Sequence, residues 1–111
     1  MIFTLIVRSH PLGQGSQSAF YFAQALYAKG HKIQSVFFYQ DGVYHAQQYN
    51  LPADEPNIAK LWLNFAKTKD FQLNACITAC EKRGITDDFI PIAGLGQLSS
   101  SMLVSERIIE F

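Results

Sequence analysis

The chain has 111 residues, no formal net charge, 49% hydrophobic and 16% charged side chains. This length fits one domain, residues 1–111, because single domains cluster at roughly 100–150 residues. The balanced charge argues against direct nucleic-acid binding, and no apolar run approaches the roughly 20 residues that span a membrane. The charged fraction lies below the roughly 25% of an average domain, which favours association with other subunits.

The first residues and the cysteines indicate the compartment. Ile2–Val7 is too short for a signal peptide, has no basic leader, and ends at Arg8 without a small-residue cleavage site. Two cysteines without such a signal are typical of free thiols in a reducing environment. We therefore expect a cytoplasmic protein.

The first third of the chain predicts a strand, a helix and a second strand. The continuous apolar run Ile2–Val7 predicts a strand that is buried on both faces. After the turn-rich loop His10–Gly15, Ser16 is suited to cap a helix over residues 17–29, where apolar residues recur at helical spacing. Ile33–Tyr39 then predicts a second strand, followed by a turn.

The remainder of the chain continues this alternation. A loop containing Pro52 and Pro56 precedes an apolar stripe that predicts a second helix, formed by Ile58, Leu61, Trp62 and Phe65. The sequence predicts a third strand at Phe71–Ala75 and a short helix at Ile77–Arg83. A truncated fourth strand at Phe89–Ile92, a helical stretch at 94–105 and a last strand at Arg107–Phe111 follow.

This order of elements predicts the fold class. Strands that alternate with helices form right-handed βαβ units, so we expect an α/β fold with a mainly parallel sheet of about five strands. Helices on both faces make it a three-layer α/β/α arrangement. Ligands bind such sheets beyond the carboxyl ends of the strands. That rule nominates the loop after the first strand, residues 40–44 after the second, and Cys76 after the third.

Cys76 is the main candidate for a reactive residue. It falls where a strand gives way to a helix, and the free N–H groups of a first helical turn favour a thiolate, which is the nucleophilic form. Packing is the alternative, because free cysteines are among the most buried residues. Cys80 lies one helical turn later, where two thiols alone do not complete a zinc site and a disulfide is geometrically awkward. Packing is therefore the favoured interpretation for Cys80.

Polar residues of the other two loops are candidates for shaping a pocket around Cys76. His10 is a candidate base or orienting donor, although a lone loop histidine is more often only solvated. Asp41, Gly42 and Tyr44 resemble an ordinary polar turn that would lie beside it. The pattern gives His45 no role.

Gly13 and Gly15 lie between a strand and a helix, the place where phosphates bind. The loop lacks the third glycine of a dinucleotide fingerprint and the Gly-Lys-Ser/Thr of a P-loop. A tight connection explains these glycines adequately, and a phosphate-binding module remains the weaker alternative.

Phe20 and Tyr27 form a second apolar side of the first helix, away from Phe22 and Leu26. A helix that is apolar on two sides is either sandwiched inside its domain or lies in a subunit interface. With the low overall charge, the interface is the favoured interpretation.

Four stretches of the chain occur in the order found in one known family: SAFYFAQALYAKGH, SVFFYQDGVYHAQQ, LNACITACEKRGI and GLGQLSSSMLVSERIIEF. Together they cover most of the chain, and they resemble the DsrE-like sulfur-relay family, most closely its TusD branch. The resemblance implies a sulfurtransferase that carries a persulfide on one cysteine and needs no metal or organic cofactor. The match at Leu73-Asn74-Ala75-Cys76 places this role on Cys76 and gives none to Cys80.

The resemblance also implies partners. In the TusD branch the subunit joins TusB- and TusC-like subunits in a heterohexamer, with a TusA-like sulfur donor and a TusE-like acceptor, for 2-thiouridine formation at the tRNA wobble position. The alternatives are a DsrE-type subunit of cytoplasmic sulfur oxidation and a non-catalytic assembly subunit. Compared with the TusD branch, Asp87–Ala93 is a short bridge before the GLG stretch.

Overall fold

The computed structural model describes residues 1–47 and 57–111, so Pro52 and Pro56 lie outside the described residues. None of the helices in these two ranges is long and apolar enough to cross a membrane. In chain order the elements are β1 (Ile2–Val7), α1 (Gln14–Ala28), β2 (Lys32–Phe38), a 3₁₀ helix (Gln40–Ala46), α2 (Ile58–Lys69), β3 (Gln72–Cys76), α3 (Ile77–Lys82), β4 (Ile92–Ala93), α4 (Leu95–Leu103) and β5 (Arg107–Glu110).

The five strands form one parallel sheet in the order β4-β3-β2-β1-β5. Leu5, Val7 and Val36 are fully buried in its centre, which explains the continuous apolar runs of β1 and β2. The predicted α/β fold with a mainly parallel sheet is confirmed. Because β2 pairs with both β1 and β3, the carboxyl ends of the first three strands lie next to one another.

Helices cover both faces of the sheet. Phe3 of β1 packs edge-on against Phe22 of α1, with ring centroids 6.1 Å apart. The next residue, Thr4, points to the opposite face, where its hydroxyl lies 2.6 Å from the Ser105 hydroxyl just after α4. α1 and α4 therefore lie on opposite faces, as the three-layer arrangement requires.

The second apolar side of α1 packs on α2 within the same chain. The ring of Phe20 lies 5.0 Å from that of Trp62, and the ring of Tyr27 lies 5.6 Å from that of Phe65. The Tyr27 hydroxyl accepts a hydrogen bond from the Ile33 N–H at 3.0 Å. This corrects the interface interpretation of Phe20 and Tyr27: α1 is sandwiched between the sheet and α2, because the apolar stripe of α2 faces it.

Two predicted boundaries at the carboxyl edge of the sheet differ from the structure. α1 begins at Gln14 with Gly13 as its N-cap residue, so Ser16 is a buried residue of the first turn rather than the cap. The predicted turn at residues 40–42 is the start of the 3₁₀ helix, which continues to Ala46. In both cases contacts with distant residues decide the local structure, as described below.

The fourth strand lies later than predicted. β4 is Ile92–Ala93, paired with Ala75 and Cys76 of β3, instead of Phe89–Ile92. The Phe89 N–H donates to the carbonyl of Ala46 at 3.0 Å, so this residue is engaged by the 3₁₀ helix instead of the sheet.

Candidate active site

Cys76 lies at the junction of β3 and α3. It is the last residue of the strand and the N-cap residue of the helix, with φ −66° and ψ 122°. Its residue surface is 1% exposed, yet it lines a cavity of about 390 Å³. Cys76 therefore lies in the wall of a cavity and not on the open surface.

The polar side chains that surround Cys76 in this cavity come from the segments that follow β2 and β3. Tyr39 and Asp41 contribute from the end of β2 and the 3₁₀ helix, and Thr78, Lys82 and Arg83 contribute from α3 and its C-cap. Because β2 and β3 are neighbours, the rule that ligands bind beyond the carboxyl ends of strands predicts this location.

An ion pair joins two walls of the cavity. The Arg83 guanidinium donates to Oδ1 of Asp41 from Nε at 3.1 Å, and its Nη2 lies 3.0 Å from the same oxygen. Arg83 Nη1 also donates to the carbonyl of Ala79 at 3.1 Å. The pair thus ties the 3₁₀ helix to α3 directly beside Cys76. From the sequence, Arg83 is placed only at the end of the predicted helix Ile77–Arg83 and is given no role in the site.

His45 anchors the buried side of the 3₁₀ helix. It is fully buried, with its ring centroid 4.3 Å from that of Phe38. Burial lowers the pKa of His45 to about 4; His10 also lowers this pKa, and the bond to Gly42 raises it. The neutral ring donates from Nδ1 to the carbonyl of Gly42 at 2.7 Å and accepts at Nε2 from the Ser16 hydroxyl at 2.8 Å. His45 therefore links the 3₁₀ helix to α1.

Gly42 allows the 3₁₀ helix to lie against the end of β1. A β-carbon at this position would lie 2.0 Å from the carbonyl oxygen of Val7, so a side chain requires the backbone to move. The Gly42 N–H donates to the carbonyl of Tyr39 at 2.8 Å. Gly42 therefore fixes the position of its neighbour Asp41, and is not among the described residues that line the cavity.

His10 and Tyr44 lie together, with ring centroids 5.1 Å apart. His10 Nδ1 accepts a hydrogen bond from the Leu12 N–H at 3.1 Å. Neither His10 nor Tyr44 is among the described residues that line the cavity. Of the four residues predicted to shape the pocket around Cys76, only Asp41 does so directly.

Cys80 is packed, as the sequence predicts. It is 1% exposed, and burial raises the pKa of its thiol, with a further increase from Cys76 and a partial offset from Arg83. Within residues 1–47 and 57–111, no group of three His, Cys, Asp or Glu side chains is placed to hold a metal ion. In the loop after β1, the Gly13 N–H is used by the carbonyl of His10 at 2.8 Å, which weakens the phosphate-site alternative.

The chain is similar to known proteins over its whole length. Residues 1–111 match the profile of the DsrE/DsrF-like family. The Sulfurtransferase TusD of Serratia proteamaculans (strain 568) is 38% identical over 127 aligned positions, covering 98% of both chains. A Sulfurtransferase TusD homolog of Vibrio parahaemolyticus serotype O3:K6 is 36% identical. The alignment covers 100% of this chain and 98% of the homolog. These alignments exceed the 111 residues of this chain, so the relatives contain residues that it lacks.

A solved structure shows the same fold. The crystal structure of the ychN protein from E. coli aligns over 100% of both chains with a TM-score of 0.72 and 20% sequence identity. The strand order and the layers described above are therefore those of a known architecture.

Proposed function

Because the chain belongs to the DsrE/DsrF-like family, we propose that it is a sulfurtransferase subunit that accepts sulfane sulfur on Cys76 and passes it to another protein. The sulfurtransferase names of its relatives, matched over nearly the whole chain, support this class of activity. The observation that carries the assignment is the placement of Cys76 in the cavity at the carboxyl edge of the sheet.

The transfer follows the rules of thiol–disulfide exchange. The Cys76 thiolate attacks the outer sulfur of a donor persulfide, R–S–SH, and a new S–S bond forms on Cys76. The S–S bond of the donor breaks, and its electron pair leaves on the donor thiolate. An acceptor thiolate then attacks the outer sulfur of Cys76–S–SH in the same way and regenerates Cys76. Neither step consumes an oxidant or needs a metal or an organic cofactor.

The two cysteines differ in their suitability for this reaction. Both are 1% exposed, but Cys76 lines the cavity and Cys80 is not among the described residues that do so. The raised pKa of the Cys80 thiol also disfavours its nucleophilic form. The Asp41–Arg83 pair keeps the two walls beside Cys76 together. Cys80 therefore acts as a packed residue.

The pathway assignment follows the TusD names of the relatives. In this proposal the chain joins TusB- and TusC-like subunits in a heterohexamer in the cytoplasm, receives sulfur from a TusA-like donor and delivers it to a TusE-like acceptor for 2-thiouridine formation at the tRNA wobble position. The exposed apolar residues Met102, Leu103 and Val104 at the end of α4 support association with other subunits. Loss of wobble-uridine thiolation in a strain lacking the chain distinguishes this pathway from sulfur oxidation.

Intact-mass measurement after incubation with a persulfide donor tests the assignment to Cys76. We expect a gain of one sulfur atom, about 32 Da, that a reductant reverses. Cys76→Ser abolishes the gain, and Cys80→Ser, the matched control one helical turn away, retains it. An unmodified wild-type protein, or a modification that follows Cys80, contradicts the proposal.

The low exposure of Cys76 favours one second candidate, a non-catalytic assembly subunit in which the residue only packs. The same measurement separates the two functions, because a packed thiol that no donor reaches gains no sulfur. Complex formation by such a protein with TusB- and TusC-like subunits then identifies the assembly role.

A further inference from the structure

The cavity that contains Cys76 has more positive than negative side chains in its walls. Lys82 and Arg83 contribute two cations, and Asp41 contributes one carboxylate. Asp41 is paired with Arg83, whereas Lys82 has no ion pair within residues 1–47 and 57–111. The walls therefore retain an uncompensated positive charge beside the reactive sulfur.

Arg83 retains hydrogen-bonding capacity for a ligand. Its contacts with Asp41 and Ala79 use Nε, Nη1 and Nη2 once each, and a guanidinium has five N–H groups. The Arg83 side chain is 24% exposed, so it is partly removed from water, and a charge-assisted hydrogen bond is stronger there than at an open surface. The hydroxyl-bearing Thr78 lines the same space.

The depth of Cys76 restricts what can reach it. At 1% exposure, the sulfur of Cys76 is reached through the cavity and not by contact between two flat protein surfaces. A volume of about 390 Å³ lies in the size range of small-molecule sites. The group that brings or removes sulfur must therefore enter the cavity, whose walls include Lys82 and Arg83.

We propose that the group entering this cavity is anionic, so that Lys82 and Arg83 bind a carboxylate or sulfonate close to the sulfane sulfur of the donor. This inference rests on the proposed function of Cys76. The Cys76 thiolate takes the outer sulfur, the S–S bond of the donor breaks, and the donor thiolate leaves with the electron pair while its anionic group stays bound to the two cations. The anion has two sources, a small persulfide or an acidic residue flanking the cysteine of a carrier protein.

Matched donors that differ by one charge test this recognition. The small donors are the persulfides of N-acetylcysteine and of its methyl ester, and the peptide donors are the persulfides of acetylated, amidated Gly-Asp-Cys and Gly-Asn-Cys. The rate constant of sulfur uptake by Cys76 is measured for each donor by intact mass. We expect the wild type to react about ten times faster with the charged member of at least one pair.

The ratio within a pair is the readout, because a variant that merely perturbs folding or the reactivity of Cys76 slows both members alike. Lys82→Glu abolishes or reverses the preference, and Asp41→Asn increases it by releasing Arg83. The control Lys67→Met, which removes an exposed lysine of α2 outside this cavity, retains the wild-type ratio.

Each outcome is decisive. A preference in the small pair alone identifies a small donor, and a preference in the peptide pair alone identifies a carrier-protein segment. Equal rates within both pairs, or a preference that Lys82→Glu leaves unchanged, overturn this inference while sulfur uptake by Cys76 sustains the proposed function. No uptake from any donor rejects the proposed function, and this inference with it.

Discussion

The 3₁₀ helix is attached to the rest of the molecule on two sides that differ in their physics. On the inner side, neutral His45 is fully buried and bonds to Ser16 and Gly42. On the outer side, charged Asp41 and Arg83 pair beside the cavity, with side chains 63% and 24% exposed. Buried hydrogen bonds are expensive to break because they leave unsatisfied partners, whereas exposed ion pairs contribute little to stability.

The inner side of this seven-residue helix therefore contributes mainly to stability, and the outer side mainly to function. The inner side holds the helix against β1 and α1, and its loss should strongly lower the free energy of unfolding. The outer side holds two charged walls beside Cys76, and its loss should alter the reaction of this residue and leave the fold intact. Substitutions on each side should therefore affect different properties of the protein.

The largest effect is expected at Gly42 on the inner side. Gly42→Ala places a β-carbon 2.0 Å from the carbonyl oxygen of Val7, so the 3₁₀ helix has to move away from β1. We expect the free energy of unfolding to fall by about 4 kcal/mol, as for severe overpacking in a core. Urea denaturation followed by circular dichroism measures this change.

Gly96→Ala is the matched control for this substitution. A β-carbon at Gly96 meets nothing within 4 Å, and the residue lies inside α4. Alanine in a helix is favoured over glycine by roughly 0.5–1 kcal/mol, so this variant should be as stable as the wild type or more stable. If the Gly42→Ala protein has wild-type stability, the 3₁₀ helix is not closely packed against the end of β1.

The second effect is a loss of stability in mild acid caused by His45. Its pKa is about 4 in the folded chain against an ordinary value of 6.5, so above pH 6.5 both states are neutral and its contribution to stability is complete. As the pH falls below 6.5, the unfolded chain binds the proton first. The free energy of unfolding then decreases down to about pH 4, by on the order of 3 kcal/mol.

Denaturant midpoints measured between pH 7 and pH 4 test this dependence. His45→Gln removes the titrating group, so the variant should lose less stability over this range than the wild type does. The rest of the chain is the same in both proteins, so its contribution to the pH dependence cancels in the difference. Identical pH dependence in the two proteins would contradict a buried neutral His45.

Features decided by local sequence could be predicted. The continuous apolar run of β1 and the place where β3 gives way to α3 are visible in neighbouring residues, and these two features give the parallel sheet and the position of Cys76. Ser16 is different, because its hydroxyl is used by His45, 29 residues away, and the helix begins before it. No pattern around Ser16 carries that information.

The pairing of Asp41 with Arg83 is hidden from the sequence for the same reason. Asp41 and Arg83 are 42 residues apart, and only the pairing of β2 with β3 brings their loops together. The assignment of Phe20 to an interface failed because periodicity shows that a helix side is apolar but not what covers it, which here is Trp62 of α2. Contacts between residues far apart in the sequence thus explain both the wrong interface prediction and the failure to predict a role for Arg83.

The smallest effect on stability is expected from the outer side. Asp41→Asn removes the ion pair with Arg83 and should lower the free energy of unfolding by less than about 1 kcal/mol, because Asp41 is largely exposed. Glu110→Gln, which breaks another exposed ion pair, Arg8–Glu110 at 3.3 Å, is the matched control and should cost a similar amount. The two variants should differ in the rate at which Cys76 is alkylated by an anionic reagent such as iodoacetate. Asp41→Asn removes a negative charge and frees Arg83 beside Cys76, so only this variant should react faster than the wild type. Equal alkylation rates for both variants would show that the outer attachment has no influence on the cavity, and the separation between the two sides of the 3₁₀ helix would then be lost.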